Sequence, residues 1–204
     1  GTGTSCFGWK GGIGTSSRVV PSEAGGFTVG ALVQTNFGLP EELTVLGVPG
    51  GVHVLPQEHV ENSESAPEST VEDGSVMVVL ATDAPMNARQ LGRLCVRASA
   101  GLARTGAVLG HDSGDFVVGF STADTVPHDP WVITEMRASL IDEGNVMRWC
   151  FPAVVESVEE AVLNALWRAE TVVGRDGHTR RALPLDEVEA VLKRYGRERL
   201  VAVC

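Results

Sequence analysis

The sequence contains little positive charge and no long apolar run. Its 204 residues include 16 Lys and Arg against 26 Asp and Glu, which gives a formal net charge of −10. Nucleic acids and anionic membrane surfaces bind basic patches, so this composition argues against either as the main partner. No apolar stretch approaches the ~20 residues that a membrane-spanning helix requires.

Clustered metal ligands are also missing. None of the four cysteines forms a C-x-x-C pair, and the five histidines include no H-E-x-x-H pair. Metal sites need closely spaced ligands, so we expect neither a metal nor a cofactor. The cysteines are predicted to be free thiols in a reducing, cytoplasmic compartment. The opening GTGTSCFGWKGG resembles neither a signal nor a transit peptide and is typical of the interior of a longer protein, which leaves an upstream export signal open.

The hydrophobic pattern predicts a mixture of strands and helices around a sizeable core. Hydrophobic residues make up 43% of the chain. Alternating or continuous apolar runs predict strands, and apolar residues spaced three and four apart predict helices. The predicted strands are 25–38, which ends near Asn36, ELTVLGV (42–48), 76–82 and 115–122. The predicted helices run from Asn87 to about Ala103, from a Ser157–Glu160 capping box to Gly174, and from an Asp186 cap to Gly196.

The segment GWKGGIGTSSR (8–18) invites comparison with a phosphate-binding loop. A phosphate loop places Lys and then Ser or Thr directly after its last Gly, whereas Lys10 here precedes the glycines. We therefore interpret the segment as a glycine-rich hairpin that allows close backbone approach. Lys10 is expected to be structural or solvated rather than part of a site.

The segment HDSGD (111–115) brings His, Asp and Ser together in sequence. Neighbouring residues of an extended chain point to opposite faces, so these three cannot align as a catalytic triad. Ser113 and Asp115, two residues apart, share a face. That pair is compatible with a catalytic role and equally with a turn that caps a strand.

The sequence changes from acidic and polar to apolar within EDGSVMVVLATDAP (72–85). The preceding residues 57–73 carry six acidic side chains and no Lys or Arg, a composition typical of a disordered connector. Residues 76–82 instead have the pattern of a fully buried strand. Either this is an ordinary loop before an ordinary strand, or Ser75 can become the first residue of a separate chain.

Five motifs in the same order resemble the DmpA/β-peptidyl aminopeptidase family, the P1 or S58 peptidases. They are FGWKGGIGTSSRVV, VGALVQTNFG, GSVMVVLATDAPMNARQLGRLCVRASAGLARTG, GHDSGDFVVGFST and EEAVLNALWRAETVVGRDG. Members of this family are made as inactive precursors, which cut themselves before a Ser or Thr that becomes the new N-terminus and the nucleophile. The resemblance implies an α+β fold, a four-layer αββα sandwich similar to the N-terminal-nucleophile hydrolases.

The resemblance also assigns a site to particular residues. It places the self-cleavage between Gly74 and Ser75, and Ser75 becomes the N-terminal nucleophile. Ser113 matches the family's second active-site serine and Asp115 its acidic residue, so Ser113 is expected to hydrogen-bond Ser75 or its amine. Asn36 is expected to donate to the oxyanion. Gly74 suits such a cleavage site because glycine tolerates strained backbone.

The implied protein is a self-processing serine aminopeptidase or amidase that acts on small peptides, amides or esters. The alternatives are a related amide hydrolase or acyltransferase with pantetheine- or oligoamide-type substrates, and an uncleaved scaffold without activity. Residues 1–74 and 75–204 would form two fragments of one αββα domain, with 57–73 as the acidic tail of the first. Family members carry a long further segment before GTG, which supplies strands and part of the amine-binding pocket. We therefore expect a partial domain, associated through its complementary fragment and in a homo-oligomer.

Overall fold

The computed structural model of the chain describes residues 2–57, 74–111 and 113–197. The connector predicted at 57–73 therefore lies, apart from Gln57, outside the described residues. The strands are β1 (Ser5–Cys6), β2 (Trp9–Lys10), β3 (Ile13–Val19), β4 (Thr28–Gln34), β5 (Ser75–Thr82), β6 (Gly114–Ser121), β7 (Val172–Val173) and β8 (Thr179–Arg180). The helices are α1 (Ala88–Arg104), α2 (Glu143–Trp167) and α3 (Leu185–Arg194).

The main sheet contains four strands in the order β3-β4-β5-β6. β3, β4 and β5 pair antiparallel, whereas β5 and β6 run parallel with Ser75 opposite Gly114. Gln34, the last residue of β4, pairs with Met77 near the start of β5. The end of β4 and the beginnings of β5 and β6 consequently meet at one edge of the sheet.

Helices α1 and α2 cover one face of this sheet. The covered face supplies buried residues such as Val33 and Val78, and the α2 side of the interface supplies Val158 and Val162. β3 and α2 approach very closely at Gly14, where an added Cβ would lie 1.8 Å from the carbonyl oxygen of Ala161. Only a glycine fits there, so Gly14 sets the distance between the sheet and α2.

The opposite face of the sheet carries exposed apolar side chains, and we call it the open face. Its large apolar residues are between 37% and 69% exposed: Ile13, Val19, Leu32, Met77, Phe116, Val118 and Phe120. A sheet face of this composition normally packs against another layer. The described residues thus form one helix layer and one sheet layer, which matches half of the expected four-layer sandwich and confirms the α+β class.

Most of the predicted elements are present. β4 lies inside its predicted strand, β5 and β6 each begin one residue before theirs, and α1 begins after Asn87, as expected. The Asn87 side chain accepts a hydrogen bond from the Gln90 N–H, and the Gln90 side chain accepts one from the Asn87 N–H, which forms a capping box. Gly196 follows α3 with a φ of +69°, as its predicted stop role requires.

One predicted strand and two predicted helix caps are wrong. ELTVLGV (42–48) forms no strand, because Pro40–Glu42 is a 3-10 helix and Val45 and Val48 pair across a tight turn. Ser157 does not cap a helix, because α2 begins at Glu143 and Ser157 is fully buried inside it. Asp186 lies in the first turn of α3, whose N-cap is Pro184.

The same helix α2 also ends earlier than predicted, and two features hide its true limits in the sequence. It stops at Trp167, well before Gly174, and Arg168 is the C-cap residue. Pro152 lies in its interior, although a proline there removes a helical hydrogen bond and usually signals a helix start or break. None of the described helices has the length and apolar character needed to cross a membrane.

Candidate active site

Ser75 is the first residue of β5 and lies at the edge of the sheet where three strand ends meet. Its side chain is exposed, whereas Gly74 before it is buried. The Ser75 hydroxyl donates a hydrogen bond to the carbonyl oxygen of Gly74 over 2.7 Å. The hydroxyl therefore already contacts the peptide group that self-cleavage would break.

Backbone hydrogen bonds hold the Gly74–Ser75 peptide group on both sides. The Ser75 N–H donates to the backbone carbonyl of Asn36 over 2.7 Å, on the β4 side. On the β6 side, the Gly114 N–H lies 3.3 Å from the Gly74 carbonyl oxygen and 3.3 Å from Ser75 Oγ. The peptide group is fixed at both its nitrogen and its oxygen, which limits its rotation.

A glycine is required at position 74 because a side chain would not fit there, and not because the backbone has a positive φ. An added Cβ would lie 2.6 Å from the carbonyl oxygen of Asn36 and 3.0 Å from Phe37 Cα. Gly74 does not belong to the glycines with positive φ in the described chain. The structural reason for a glycine here therefore differs from the conformational one that the sequence suggested.

Asn36 lies two residues beyond β4 and is exposed. Its side-chain Oδ1 accepts a hydrogen bond from the Ser5 N–H over 3.1 Å. The side-chain amide nitrogen has no hydrogen-bond partner among residues 2–57, 74–111 and 113–197, so it can donate to a further acceptor. Asn36 is next to Ser75 through its own carbonyl, as described above.

Ser113 and Asp115 are in direct contact. Ser113 Oγ donates to Asp115 Oδ1 over 2.8 Å, so the two side chains do share a side of the chain. Within the described ranges no hydrogen bond joins either residue to Ser75. The strand register gives the reason: Ser75 pairs with Gly114 and lies with the open-face residues, whereas Asp115 pairs with Val76 of the helix-covered face. Asp112 lies outside the described residues.

Lys10 is buried, with 5% of its surface exposed. Its ammonium donates to the carbonyl oxygens of Gly11 over 2.6 Å and Thr4 over 3.3 Å. Burial lowers the pKa of Lys10 from its ordinary value. Lys10 is thus a structural lysine that holds the glycine-rich segment, and it is not solvated.

The described thiols do not compete with Ser75 as nucleophiles. Burial raises the pKa of Cys6 to about 12 and that of Cys150 to about 11. Burial also raises the pKa of Cys95. A reactive cysteine needs a pKa lowered toward neutrality, and these three thiols have the opposite shift. Cys204 lies outside the described residues.

Two cavities in the described chain lie away from this cluster. One of about 370 Å³ lies between Trp9, Leu55, Arg181 and Glu187. Another of about 280 Å³ lies within the irregular segment 126–137. Ser75 and Asn36 line neither of these two cavities. The described residues contain no group of three metal-ligating side chains.

Sequence reasoning did not find the backbone groups of this cluster. The Gly114 N–H, the Asn36 carbonyl and the Ser5 N–H all contact the residues around the Gly74–Ser75 peptide. Backbone groups are common to every residue and leave no signal in a motif. Strand register alone could have identified Gly114, because it pairs with Ser75.

The fold resembles that of a solved structure described as an Ntn hydrolase variant. A solved structure from Ochrobactrum anthropi is described as an L-aminopeptidase D-Ala-esterase/amidase with a new variant of the Ntn hydrolase fold. It matches with a TM-score of 0.79 and 40% identity over 96% of this chain and 51% of that one. A Pyrococcus horikoshii OT3 protein of solved structure matches with a TM-score of 0.79 and 44% identity, over 97% of this chain and 51% of that one.

The sequence comparisons give the family. A sequence model of peptidase family S58 matches residues 1–180. β-Peptidyl aminopeptidase BapA of Sphingosinicella microcystinivorans is 40% identical over 207 residues, which cover 97% of this chain and 51% of that protein. The chain belongs to peptidase family S58. It spans about half the length of the curated relatives that it matches.

Proposed function

We propose that the chain is part of a self-processing serine aminopeptidase or amidase in which Ser75 is the N-terminal nucleophile. The observation that carries this proposal is the 2.7 Å hydrogen bond from the Ser75 hydroxyl to the Gly74 carbonyl. Membership in a peptidase family supports the reaction class. The position of Ser75 at the start of a strand supports its role, because a cut there leaves the strand itself intact.

Self-cleavage begins when Ser75 Oγ attacks the Gly74 carbonyl carbon. The hydroxyl proton passes to the Ser75 nitrogen, the C–N bond breaks, and an ester joins Gly74 to Ser75 Oγ. Water then hydrolyses the ester, which gives a Gly74 carboxylate, the free hydroxyl and a free α-amine on Ser75. The hydrogen bonds to Asn36 and Gly114 support this step because they hold the peptide group still during the attack.

Turnover of substrate uses the same hydroxyl with the new amine as its base. A serine hydroxyl is a weak nucleophile until a base removes its proton. A free α-amine has a pKa of about 7.7–8.0, so a useful fraction is neutral near physiological pH. The amine of Ser75 would accept the hydroxyl proton and then protonate the leaving amine of the substrate.

Asn36, Ser113 and Asp115 have supporting roles in this proposal. The side-chain amide nitrogen of Asn36 would donate to the oxyanion that forms on the attacked carbonyl. Loss of one such donor costs about 10²–10³ in kcat in other enzymes. Ser113 would hydrogen-bond the Ser75 amine after cleavage, with Asp115 keeping Ser113 in place through their 2.8 Å contact.

The substrates are small peptides, amides or esters from which an N-terminal residue is released. This class follows from similar proteins that are named as a β-peptidyl aminopeptidase and an L-aminopeptidase D-Ala-esterase/amidase. Ser75 is exposed, which leaves room for a further layer that completes the pocket. Residues 1–74 and 75–204 would remain associated, and the open face would be covered in the assembled protein.

N-terminal sequencing of the purified protein tests the proposal. We expect a fragment that begins Ser75-Val76-Met77, and we expect it to be absent when Ser75 is replaced by Ala. Ser17→Ala, an exposed serine on β3, is the matched control and should still be cut. A single uncut chain in the parent protein would instead support the scaffold without activity.

A further inference from the structure

A short hairpin packs against the segment that carries Asn36. Strands β1 and β2 pair Ser5 with Lys10 and Cys6 with Trp9, and Phe7 and Gly8 form the turn between them. The φ angles of Phe7 and Gly8 are +49° and +75°, as a tight two-residue turn of this type requires. A buried phenylalanine rarely adopts such a backbone conformation.

The strained turn is held by contacts to the residues that follow Asn36. The Phe7 N–H donates to the Phe37 carbonyl over 2.9 Å, and the two rings meet edge to face at 5.3 Å. Phe7 is fully buried. At Gly38 an added Cβ would lie 2.4 Å from the Phe7 ring, so Phe7 occupies the space that a side chain there would fill. Strain of this kind persists only where surrounding contacts enforce it.

The hairpin directs one backbone donor at Asn36. In a two-residue hairpin the pair next to the turn, Cys6 and Trp9, exchanges the hydrogen bonds, so the N–H of Ser5 points outward. That N–H donates to Asn36 Oδ1 over 3.1 Å. The Ser5 N–H can donate to the side-chain oxygen of Asn36 but not to its NH₂ group. This hydrogen bond therefore fixes which end of the Asn36 amide faces Ser5.

We propose that the Ser5 N–H is a positioning group that fixes the Asn36 amide with its nitrogen directed to the oxyanion. This inference rests on the proposed function, in which the Asn36 amide is the donor. Without the Ser5 hydrogen bond the Asn36 amide could rotate by half a turn and direct its oxygen, instead of its nitrogen, at the oxyanion. The Phe7–Gly8 turn is the structural device that holds the Ser5 N–H in place.

Ser5→Pro tests this directly, because proline lacks the N–H and is tolerated at the first residue of a strand. We expect a fall of about tenfold or more in kcat with little change in KM, by analogy with the loss of an oxyanion donor. Ser5→Ala keeps the N–H and should retain the parent kcat. Circular dichroism and the extent of cleavage at Ser75 are recorded for each variant.

A double-mutant cycle separates positioning from general damage. If Ser5 acts only through Asn36, Ser5→Pro should cause no further loss of kcat in an Asn36→Ala background. A Ser5→Pro enzyme as fast as Ser5→Ala would overturn the proposal, and so would two losses that multiply. A parent protein that is uncut and inactive would instead count against the proposed function.

A measurement of stability keeps the inference testable even if Ser5→Pro fails to fold or the parent is inactive. Asn36→Asp retains an oxygen for the Ser5 N–H but offers no donor, whereas Asn36→Ala removes both. We expect Asn36→Asp to keep the parent Tm and to lose activity wherever activity is present, and Asn36→Ala to lower the Tm. Equal losses of Tm in the two variants would show that the Ser5 contact does not hold this side chain.

Discussion

The hydroxyl of Ser113 and the carboxylate of Asp115 are joined by a 2.8 Å hydrogen bond. Asp115 belongs to the helix-covered face of the sheet, whereas the Ser75 side chain belongs to the open face. If the pair only caps the start of β6, Ser113→Ala should cost at most about 1 kcal/mol of stability and leave turnover nearly intact. If Ser113 binds the Ser75 amine, the same change should lower kcat/KM by about 10²–10⁴. An aminoacyl p-nitroanilide assay distinguishes these outcomes, once mass spectrometry has confirmed that the variant is cut.

Asp115→Asn keeps the shape of the side chain and removes its charge. A nearby anion raises the pKa of an amine, so its loss should lower the pKa of the Ser75 amine. The amine must be neutral to act as the base, and the rising limb of the kcat/KM profile should therefore move to lower pH. We expect a smaller loss of rate than for Ser113→Ala. An unchanged profile would place Asp115 outside the electrostatic environment of the amine.

Gly74→Ala should slow self-cleavage strongly, because the new Cβ would lie 2.6 Å from the Asn36 carbonyl oxygen. Relief of this clash displaces the peptide group from its hydrogen bonds to Asn36 and Gly114. The fraction of cut chain is followed with time on denaturing gels. Gly92→Ala is the matched control: no atom lies within 4 Å of its added Cβ, and cleavage should proceed as in the parent. Cleavage of Gly74→Ala at the parent rate contradicts this account.

The open face should be covered in the assembled protein. Val118 on this face is 55% exposed in the described chain, and Val173 on β7 is 68% exposed. If another layer covers the open face, Val118→Ala should destabilise the assembled protein by about 1.5–3 kcal/mol. Val173→Ala should change stability by less than about 0.5 kcal/mol. Similar melting curves for the two variants would indicate that the open face remains in water.

Acid should weaken the contact between α1 and α2. Glu143 at the start of α2 pairs with Arg89 and Arg93 of α1, and the Arg89 hydrogen bond is the main cause that lowers the pKa of Glu143 to about 2. A carboxyl whose pKa is lower in the folded state stabilises the fold above its unfolded pKa. This contribution is lost as the pH falls from about 4.5, the ordinary value, to about 2.

Glu143→Gln is the variant that tests this contribution. It should be less stable than the parent at neutral pH and lose less stability across that acid range. Glu189→Gln, at an exposed position of α3, serves as the control. Tm is measured between pH 2 and 7 for all three proteins. Parallel curves for Glu143→Gln and the parent would mean that the ion pairs contribute little.

Local sequence patterns predicted those helices and strands that are determined by the spacing of their own side chains. The apolar spacing after Asn87 predicted α1, and the apolar run 76–82 predicted β5. The expected full burial of that strand is wrong, because β5 alternates between buried and exposed residues and Met77 is 40% exposed. The pattern failed at Ser157, because a capping motif inside a buried helix has the same letters as one at a helix start. It failed at ELTVLGV because the chain turns inside the motif: Leu46 and Gly47 have positive φ angles and join Val45 to Val48.

The candidate site was predicted through family resemblance, and the sequence pattern could not supply its geometry. Ser75, Asn36 and Gly114 meet because β5 and β6 run parallel while β4 runs opposite to β5. Strand direction and register depend on contacts between distant segments, which residue spacing does not encode. The pairing of Ser113 with Asp115 is local, and two-residue spacing was sufficient to anticipate it.

Strand pairing extends across the proposed cut, and this has a thermodynamic consequence. β4 belongs to residues 1–74 and β5 to residues 75–204, yet they pair at six positions, and Gly14 of the first fragment packs on α2 of the second. Before the proposed cut these contacts form within one chain, so they add no dependence of melting on protein concentration. After cleavage the same contacts join two molecules, and the melting temperature becomes dependent on concentration. Folding would therefore be most favourable while the chain is still continuous, and the proposed cleavage would convert an intramolecular fold into a dissociable complex.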